Sequence, residues 1–196
     1  MKIFITVLVL IFSLQSFSKA DDIRDFEIEG ISIGDSLFNH ITKEQFNDWE
    51  EFKHYYKGNK FVVIPCKYPA QQYDQIGCTI KIAEDENHKI VGVHGTIKFP
   101  DNLSACLKKK EEVAKEFKEM LKNTIIDDMG TYPHNADPTG NSTQTVIDFN
   151  FSNGGYIRVV CHDWSKELAE EGWTDEFKVY ITSKELEYFI NTEAYN

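Results

Sequence analysis

The chain has 196 residues, with 21 basic and 32 acidic side chains and a formal charge of −11 at neutral pH. A surface this negative repels phosphate backbones and anionic lipids, which disfavours nucleic-acid binding and peripheral membrane binding. The length suits one domain, or two small halves that share a sheet, and a hydrophobic content of 41% can build a core, which excludes a disordered chain.

Residues 1–20 predict an export signal peptide. Lys2 supplies a positive start, positions 3–12 are almost unbroken apolar sequence, and small residues stand at Ser18 and Ala20, where signal peptidase requires them. We therefore place the cleavage after Ala20. The apolar run is too short for a membrane span, so we expect no membrane insertion after cleavage.

A short amphipathic helix is predicted after an extended entry over residues 21–34. Thr42 and Gln45 have the spacing of a capping box, in which the first caps the helix and the second reaches back to it. Phe46 and Trp49 follow at helical spacing. The mature chain therefore opens with an extended segment and one short helix.

Three β-strands are predicted next from β-rich composition and alternating apolar residues. They cover residues 61–66, 76–82 and 91–99, and a polar hairpin loop at 84–88 joins the last two. A turn over 68–72 sets Cys66 opposite Cys78 and Ile64 opposite Ile80. This register predicts a cross-strand disulfide.

A long helix is predicted over residues 103–123. Its apolar side chains recur with a period of 3.6 residues, which indicates one buried stripe. The stripe consists of Cys106, Leu107, Val113, Ala114, Phe117, Met120 and Leu121. Lysines and glutamates occupy the remaining positions, and we interpret that charged face as solvated and not as a partner site.

A second hairpin is predicted after a polar loop over residues 131–142. Its strands, near 145–151 and 157–161, alternate apolar and polar side chains. A three-residue turn at 153–155 puts the apolar side chains on one face. This register pairs Phe151 with Ile157, Phe149 with Val159 and Ile147 with Cys161, and leaves Asp148, Asn150 and Arg158 on the other face.

Four cysteines in an exported chain favour two disulfides over free thiols. Zinc binding is disfavoured because closely spaced pairs such as C-x-x-C are missing. Cys161 points to the side that the long helix must cover, and Cys106 lies on the apolar stripe of that helix, so we pair Cys106 with Cys161 and Cys66 with Cys78. The bridges are expected to contribute roughly 4 and 3 kcal/mol, respectively.

A last strand, with Phe177, Val179 and Ile181 pointing inward, runs into a second capping-box sequence at 182–185 and a terminal helix. The element order predicts an α+β fold, with an antiparallel sheet of about six strands and helices packed on one face. The mature chain, 21–196, is interpreted as a single domain. It is compatible with an αβββ duplication whose halves cover about 35–100 and 101–190.

One end of the predicted sheet gathers residues that could form a site. The loop before the second hairpin meets the segment after Cys161 there, which brings together two histidines, two aspartates and two aromatic residues. These candidates are Tyr132, His134, Asp137, His162, Asp163 and Trp164. They could bind a metal ion or a small polar ligand. Alternatively, the polar residues close turns and the aromatic residues cover the sheet end.

Other chemistry finds little support in the sequence. Cys161 and His162 are strand neighbours that point to opposite faces, so they do not form a nucleophile and its base. His94, like the other scattered histidines, is interpreted as a surface or strand-edge residue. No motif predicts a cofactor.

Three stretches carry a resemblance to known proteins: residues 25–37, residues 130–137 with Gly130, Thr131, Tyr132, His134, Ala136 and Asp137, and residues 161–167. They resemble a family of uncharacterised small secreted proteins from marine alphaproteobacteria with streamlined genomes. The resemblance implies a Gram-negative periplasm and brings no activity with it. The entry from Gly30 to Ser36 is also similar to a repeat in outer-membrane assembly lipoproteins and β-lactamase inhibitor proteins, which are interaction modules.

These observations favour a periplasmic, non-enzymatic module that binds a protein partner or a small polar ligand. The alternative hypothesis is a hydrolase that uses His134, Asp137 and His162 as partners in acid–base chemistry.

Overall fold

The computed structural model describes residues 22–67, 69–82 and 88–194. The predicted signal peptide and most of the predicted loop at 84–88 lie outside these residues. The described chain has an α+β fold, and its strand pairs are antiparallel. The predicted fold class is therefore confirmed in its general form.

The elements follow one another in an order close to the predicted one. Their bounds are β1 Glu27–Ile28, β2 Ile31–Ser32, α1 Lys43–Asp48, β3 His54–Tyr55, β4 Phe61–Lys67, β5 Gln75–Lys81, β6 Ile90–Lys98, α2 Leu103–Met120, β7 Ile125–Pro133, β8 Thr143–Asn150, β9 Tyr156–Asp163, α3 Lys166–Glu170, β10 Glu176–Thr182 and α4 Lys184–Thr192.

The main sheet has eight strands instead of about six, in the order β3-β4-β5-β6-β10-β9-β8-β7. Each half of the chain contributes four consecutive strands, and the halves meet where β6 pairs with β10. The proposed αβββ duplication stays a prediction, with one more strand in each half than the sequence pattern indicated.

The first face of the sheet carries the main core. α2 packs against β8, β9 and β10 on this face, while apolar side chains of the entry segment, such as Ile31 and Leu37, join the same core beside β6. Ile147, Phe149 and Val179 are fully or almost fully buried there. The predicted alternation thus identifies the side of each central strand that joins the main core.

α2 forms largely as predicted, because its apolar residues repeat at helical spacing and Asn102 caps its first turn by accepting a hydrogen bond from Ala105 N–H. Two positions differ from the prediction. Met120 is exposed at the last turn, whereas Lys110, assigned to the solvated face, is buried. Its long aliphatic stem packs inward while its Nζ donates to Glu111 at 2.9 Å.

α4 lies on the second face, which corrects the expectation that the helices share one face. Its residues Leu186 and Phe189 form a separate apolar cluster with Phe61 and Val91. Gly92 allows this close packing, because a Cβ at this position would lie 2.6 Å from Leu186 Cδ2. The terminal helix therefore covers the second face near β4 and β6.

The first hairpin has a register that differs from the predicted one by two residues. Ile64 pairs with Cys78, and Val62 pairs with Ile80. An irregularity between Pro65 and Lys67 places Cys66 outside the regular pairing. The faces remain as predicted because a shift of two residues preserves the alternation.

The second hairpin shows a similar shift. Phe149 pairs with Ile157, and Thr145 pairs with Cys161. The turn begins one residue earlier than predicted, and Phe151 N–H donates to Gly155 O at 3.0 Å. Gly154 and Gly155 both have positive φ, which is the conformation that glycine adopts without strain.

β7 was missed, because residues 131–142 were assigned to a loop and 125–130 carried no strand pattern. The strand pairs with β8 along its length, with an irregularity between Asp128 and Gly130. It lies at the edge of the sheet, and most of its residues are exposed. An edge strand without a buried side shows no hydrophobic alternation.

Both predicted disulfides are present, and no cysteine in the described chain is free. Cys66–Cys78 has a Cα–Cα distance of 5.6 Å and Cys106–Cys161 one of 5.9 Å. The second bridge ties α2 to β9, as predicted. Two disulfides are typical of proteins in an oxidising extracellular or periplasmic environment.

Candidate functional site

His134, His162 and Trp164 come together at one end of the sheet, as the sequence register predicted. The ring centroids of His134 and His162 lie 5.0 Å apart, and Trp164 lies 4.5 Å from His134 and 5.4 Å from His162. Trp173, which the sequence analysis missed, packs 4.5 Å from Trp164. We call these four residues the aromatic end.

Strand pairing explains this convergence. β7 ends at Pro133 opposite Thr143, and Thr143 pairs in turn with Asp163 at the end of β9. His134 and Trp164, which directly follow these two strands, therefore leave the sheet at the same end. Trp173 arrives there through the turn after α3.

Asp137 has a structural role in the loop between β7 and β8. Its carboxylate accepts four hydrogen bonds, from the amide and hydroxyl groups of Thr139 and Ser142, at 2.6–2.9 Å. These bonds, led by the Ser142 hydroxyl, lower the pKa of Asp137 well below its ordinary value. Ser142 Oγ also accepts from Ser165 N–H, so Asp137 fastens the loop to the start of α3.

Tyr132 and Asp163 stand apart from the aromatic end. Tyr132 is half-buried on the second face opposite Gln144, which in turn pairs with His162. Asp163 follows His162 in the strand and therefore faces the first side of the sheet. Its carboxylate lies 3.5 Å from the Thr143 hydroxyl. The six predicted residues thus divide into three that meet and three that do not.

A larger set of polar residues lies on the second face of β6, β8, β9 and β10. Strand pairing aligns His94 with Tyr180, Tyr180 with Arg158, and Arg158 with Asp148 across four neighbouring strands. A second row pairs Glu176 with His162. We call the following residues the polar patch: His94, Asp148, Arg158, His162, Glu176, Lys178 and Tyr180.

Ion pairs connect the polar patch internally. Arg158 donates two hydrogen bonds to Asp148, from Nε to Oδ1 at 2.8 Å and from Nη2 to Oδ2 at 2.7 Å. Lys178 Nζ lies 2.6 Å from Glu176 Oε1, and the same oxygen lies 3.3 Å from His162 Nδ1. Two cations and two carboxylates are therefore matched one to one.

Most side chains of the polar patch are recessed but partly accessible, whereas His162 is buried. Arg158 is 29% exposed and Lys178 is 20% exposed, against 13% for Glu176. Asp148 lies on the face that the sequence register predicted, but it too is buried. In the described chain α2 packs on the opposite face and α4 packs around Phe61 and Val91.

His94 belongs to this patch and is not a surface histidine. Its ring occupies the space above Gly77, where a Cβ would come within 2.3 Å of His94 Cε1. It also contacts Tyr180, with ring centroids 5.3 Å apart. Burial, together with the nearby charge of Lys178, lowers the pKa of His94 to about 3.

Burial sets the protonation of the other two histidines as well. It lowers the pKa of His134 to about 4 and also lowers the pKa of His162, although the Glu176 carboxylate opposes the second shift. Burial raises the pKa of Glu176, but the hydrogen bonds from His162 and Lys178 outweigh that effect and lower it. Both imidazoles are therefore neutral at neutral pH.

Trp164 carries a buried donor without a hydrogen-bond partner in the described part of the chain. The residue is 8% exposed, and its Nε1 is the one such buried side-chain nitrogen or oxygen there. An unsatisfied buried donor costs about 1–3 kcal/mol. An unsatisfied buried group in a native structure calls for an explanation, and a functional role is one such explanation.

The arrangement does not form a metal site. In residues 22–67, 69–82 and 88–194, no group of three or more His, Cys, Asp or Glu side chains could hold a metal ion. The engagement of Asp137 in its own loop accounts for much of this, because it removes the carboxylate that would have stood beside His134. The metal-binding interpretation of the sequence therefore has no support in the geometry.

The sequence contained a signal for the residues that were missed. Along β10 the inward Phe177, Val179 and Ile181 alternate with Glu176, Lys178 and Tyr180, which are large functional side chains on a central strand. Only the inward set indicated the buried face, and the outward set was not considered as a site. Trp173 gave no signal because its position depends on the turn after α3.

Comparison with known proteins identifies no relative: no protein-family model, curated protein or solved structure matches the chain. Among the helices of the described residues, none has the length and apolar character needed to cross a membrane. The case for function therefore depends on the geometry of the site.

Proposed function

We propose that this chain is an exported, non-enzymatic binding protein that holds a small polar ligand on the polar patch. The observation that carries the proposal is the set of recessed ion pairs on the second face of the central strands. Burying charge is costly unless the charges are paired, and an outward sheet face needs no such groups for folding. Perturbed, recessed ionisable groups of this kind concentrate at functional sites.

The geometry supports binding better than hydrolysis. A hydrolase that uses His134, Asp137 and His162 would need the Asp137 carboxylate within reach of an imidazole. Instead, Thr139 and Ser142 occupy both of its oxygens. The cations and carboxylates of the polar patch are paired with each other, which suits fixed recognition of a ligand.

Amide chemical shifts in ¹H–¹⁵N NMR spectra test the proposal directly. The oxidised protein is titrated with amino acids, organic acids, polyamines, and mono- and oligosaccharides. We expect at least one class to shift amides of β8, β9 and β10 around Arg158 and Lys178 in a saturable manner. Arg158→Gln should weaken that binding at least tenfold, whereas Lys115→Gln, on the exposed side of α2, should leave it unchanged. If no class shifts these amides, the proposal is wrong.

The cellular location is part of the same proposal. The two disulfides and the apolar start of the chain support export to the periplasm, with cleavage after Ala20. Mass spectrometry of the protein from a Gram-negative periplasmic fraction should give an N-terminus at Asp21 and a mass four hydrogens below that of the reduced chain. Recovery of the full-length reduced chain from the cytoplasm would contradict export.

A further inference from the structure

The charges of the polar patch balance, and this restricts what the patch can bind. Arg158 is held by Asp148 through two hydrogen bonds, and Lys178 is held by Glu176. A strongly anionic ligand would have to compete with Asp148 or Glu176 for a cation that is already paired. A cationic ligand would have to compete with Arg158 or Lys178 for a carboxylate that is already paired. The patch therefore offers fixed hydrogen-bonding groups with no net charge.

The two imidazoles at the aromatic end present one donor and one acceptor. His134 Nδ1 accepts a hydrogen bond from Ala136 N–H at 3.1 Å, so the proton of the neutral ring lies on Nε2. His162 Nδ1 faces the carboxylate of Glu176 at 3.3 Å and carries the proton, which leaves the lone pair on its Nε2. A ligand group that both accepts and donates hydrogen bonds can therefore pair with both Nε2 atoms.

Trp164 and Trp173 add a buried donor and an exposed apolar surface at the same place. The Trp164 indole N–H has no partner in the part of the chain that the structure describes. Trp173 is 45% exposed and packs against Trp164. An exposed indole ring offers a flat apolar face beside polar groups, which suits a ligand with both characters.

We propose that the ligand is a neutral polyhydroxylated molecule, namely a sugar or a short neutral oligosaccharide. Its hydroxyl groups both donate and accept, so they match the His134 and His162 nitrogens and the remaining hydrogen-bonding capacity of Lys178 and Glu176. Its C–H face stacks on Trp173. The inference rests on the function proposed above and specifies the class of ligand.

The indole N–H signals of the three tryptophans provide the test. The probes are maltotriose, cellotriose, xylotriose and N,N′-diacetylchitobiose, with glucuronic acid and glucosamine as charged counterparts. At least one neutral probe should shift the Trp164 and Trp173 signals with saturation, while Trp49, on the segment between α1 and β3, stays unchanged. Trp173→Ala should weaken this binding at least tenfold, and Phe52→Ala, a matched exposed aromatic residue elsewhere, should not.

The outcomes separate the two proposals. If a charged probe shifts the polar patch and the neutral probes do not, the ligand class is wrong and the binding function stands. If neither these probes nor the amino acids, organic acids and polyamines affect the patch, both are wrong. Equal shifts at Trp49 and Trp173 would indicate non-specific association and would also overturn the sugar assignment. His134→Ala provides a second variant should Trp173→Ala fail to fold.

Discussion

At the residue scale, the Arg158–Asp148 pair shows how the polar patch affects stability. Asp148 is buried and receives two hydrogen bonds from Arg158. Arg158→Met should therefore lower the free energy of unfolding by about 1–3 kcal/mol, because it leaves a buried carboxylate unpaired. Urea denaturation of the oxidised protein measures this loss.

A paired replacement controls for the general effect of mutation at this position. Asp148→Leu combined with Arg158→Met removes both charges and should recover part of the lost stability, since a buried ion pair can often be exchanged for apolar groups without loss. A double variant that is less stable than the single variant would contradict this expectation, because it would show that Asp148 stabilises the fold through contacts other than those with Arg158.

Three histidines with lowered pKa values, His94, His134 and His162, predict an acid-sensitive stability. The pKa of His94 in the folded protein, about 3, lies below its ordinary value of 6.5, because burial and the charge of Lys178 disfavour protonation. The carboxylate of Glu176 favours protonation, but its effect is smaller. The unfolded chain therefore takes up protons first. The stabilisation is present above pH 6.5 and is lost as pH falls towards 3, with a slope of up to about 1.4 kcal/mol per pH unit for each such histidine.

Comparing variants isolates His94 from the carboxylates that titrate in the same range. His94→Gln should give a flatter dependence of the unfolding free energy on pH between 6.5 and 4. His54→Gln, at an exposed position, should reproduce the slope of the unmodified protein. Equal slopes for all three proteins would contradict the lowered pKa of His94.

The candidate residues were partly predictable at this scale. His162 and Trp164 follow Cys161 in the chain, so the pairing of Cys161 with the long helix also fixed which side His162 faces. Asp137 was wrongly considered as a ligand because its residue type suits both roles, and only the surrounding loop geometry decides between them. Trp173 depended on a turn that the sequence pattern does not specify.

At the element scale, the two disulfides should differ in their effect on stability. Cys106–Cys161 closes a segment with a sequence separation of 55, against 12 for Cys66–Cys78. Because a longer loop loses more entropy on closure, replacing Cys106 and Cys161 with Ala should cost about 1 kcal/mol more than the same change at Cys66 and Cys78. Urea denaturation of the two double variants tests this order, and the reverse order would contradict it.

The edge strand β7 carries a risk of self-association. Ile125 is 72% exposed, and Ile126 and Met129 are also exposed on a strand with one unpaired edge. Ile125→Lys should slow aggregation at elevated temperature several-fold, measured by light scattering. Ser152→Lys adds the same charge at an exposed turn and should have little effect, so an equal effect of both variants would indicate net charge as the cause.

Strand pairing was predictable in its faces but not in its register. The alternation of Ile147, Phe149 and Phe151 identified the buried side, and this conclusion survives any shift of two residues. The register itself depends on where the turn begins and on the irregularity near Cys66. Neither feature leaves a periodic trace in the sequence, and β7 leaves none because it has no buried side.

At the scale of the whole molecule, the two faces of the sheet have different roles. The first face was predictable because one core joins α2, the entry segment and the central strands through a continuous set of apolar residues. For the second face, the sequence predicted only that Asp148, Asn150 and Arg158 lie on it. Its division between the apolar cluster under α4 and the polar patch depends on long-range pairing of β6 with β10, which sequence periodicity does not show.

The pairing of β6 with β10 should make the two halves of the chain unfold together. The strands are paired from Glu176 opposite Lys98 to Thr182 opposite Gly92, and one core cluster contains residues of both halves. The indole signals of Trp49 and Trp164, one in each half, should therefore disappear at the same urea concentration. Val179→Ala, on β10 where it pairs with β6, should lower both midpoints equally and reduce the free energy of unfolding by about 2 kcal/mol. Loss of the Trp49 signal well before that of Trp164 would show instead that each four-stranded half is stable by itself.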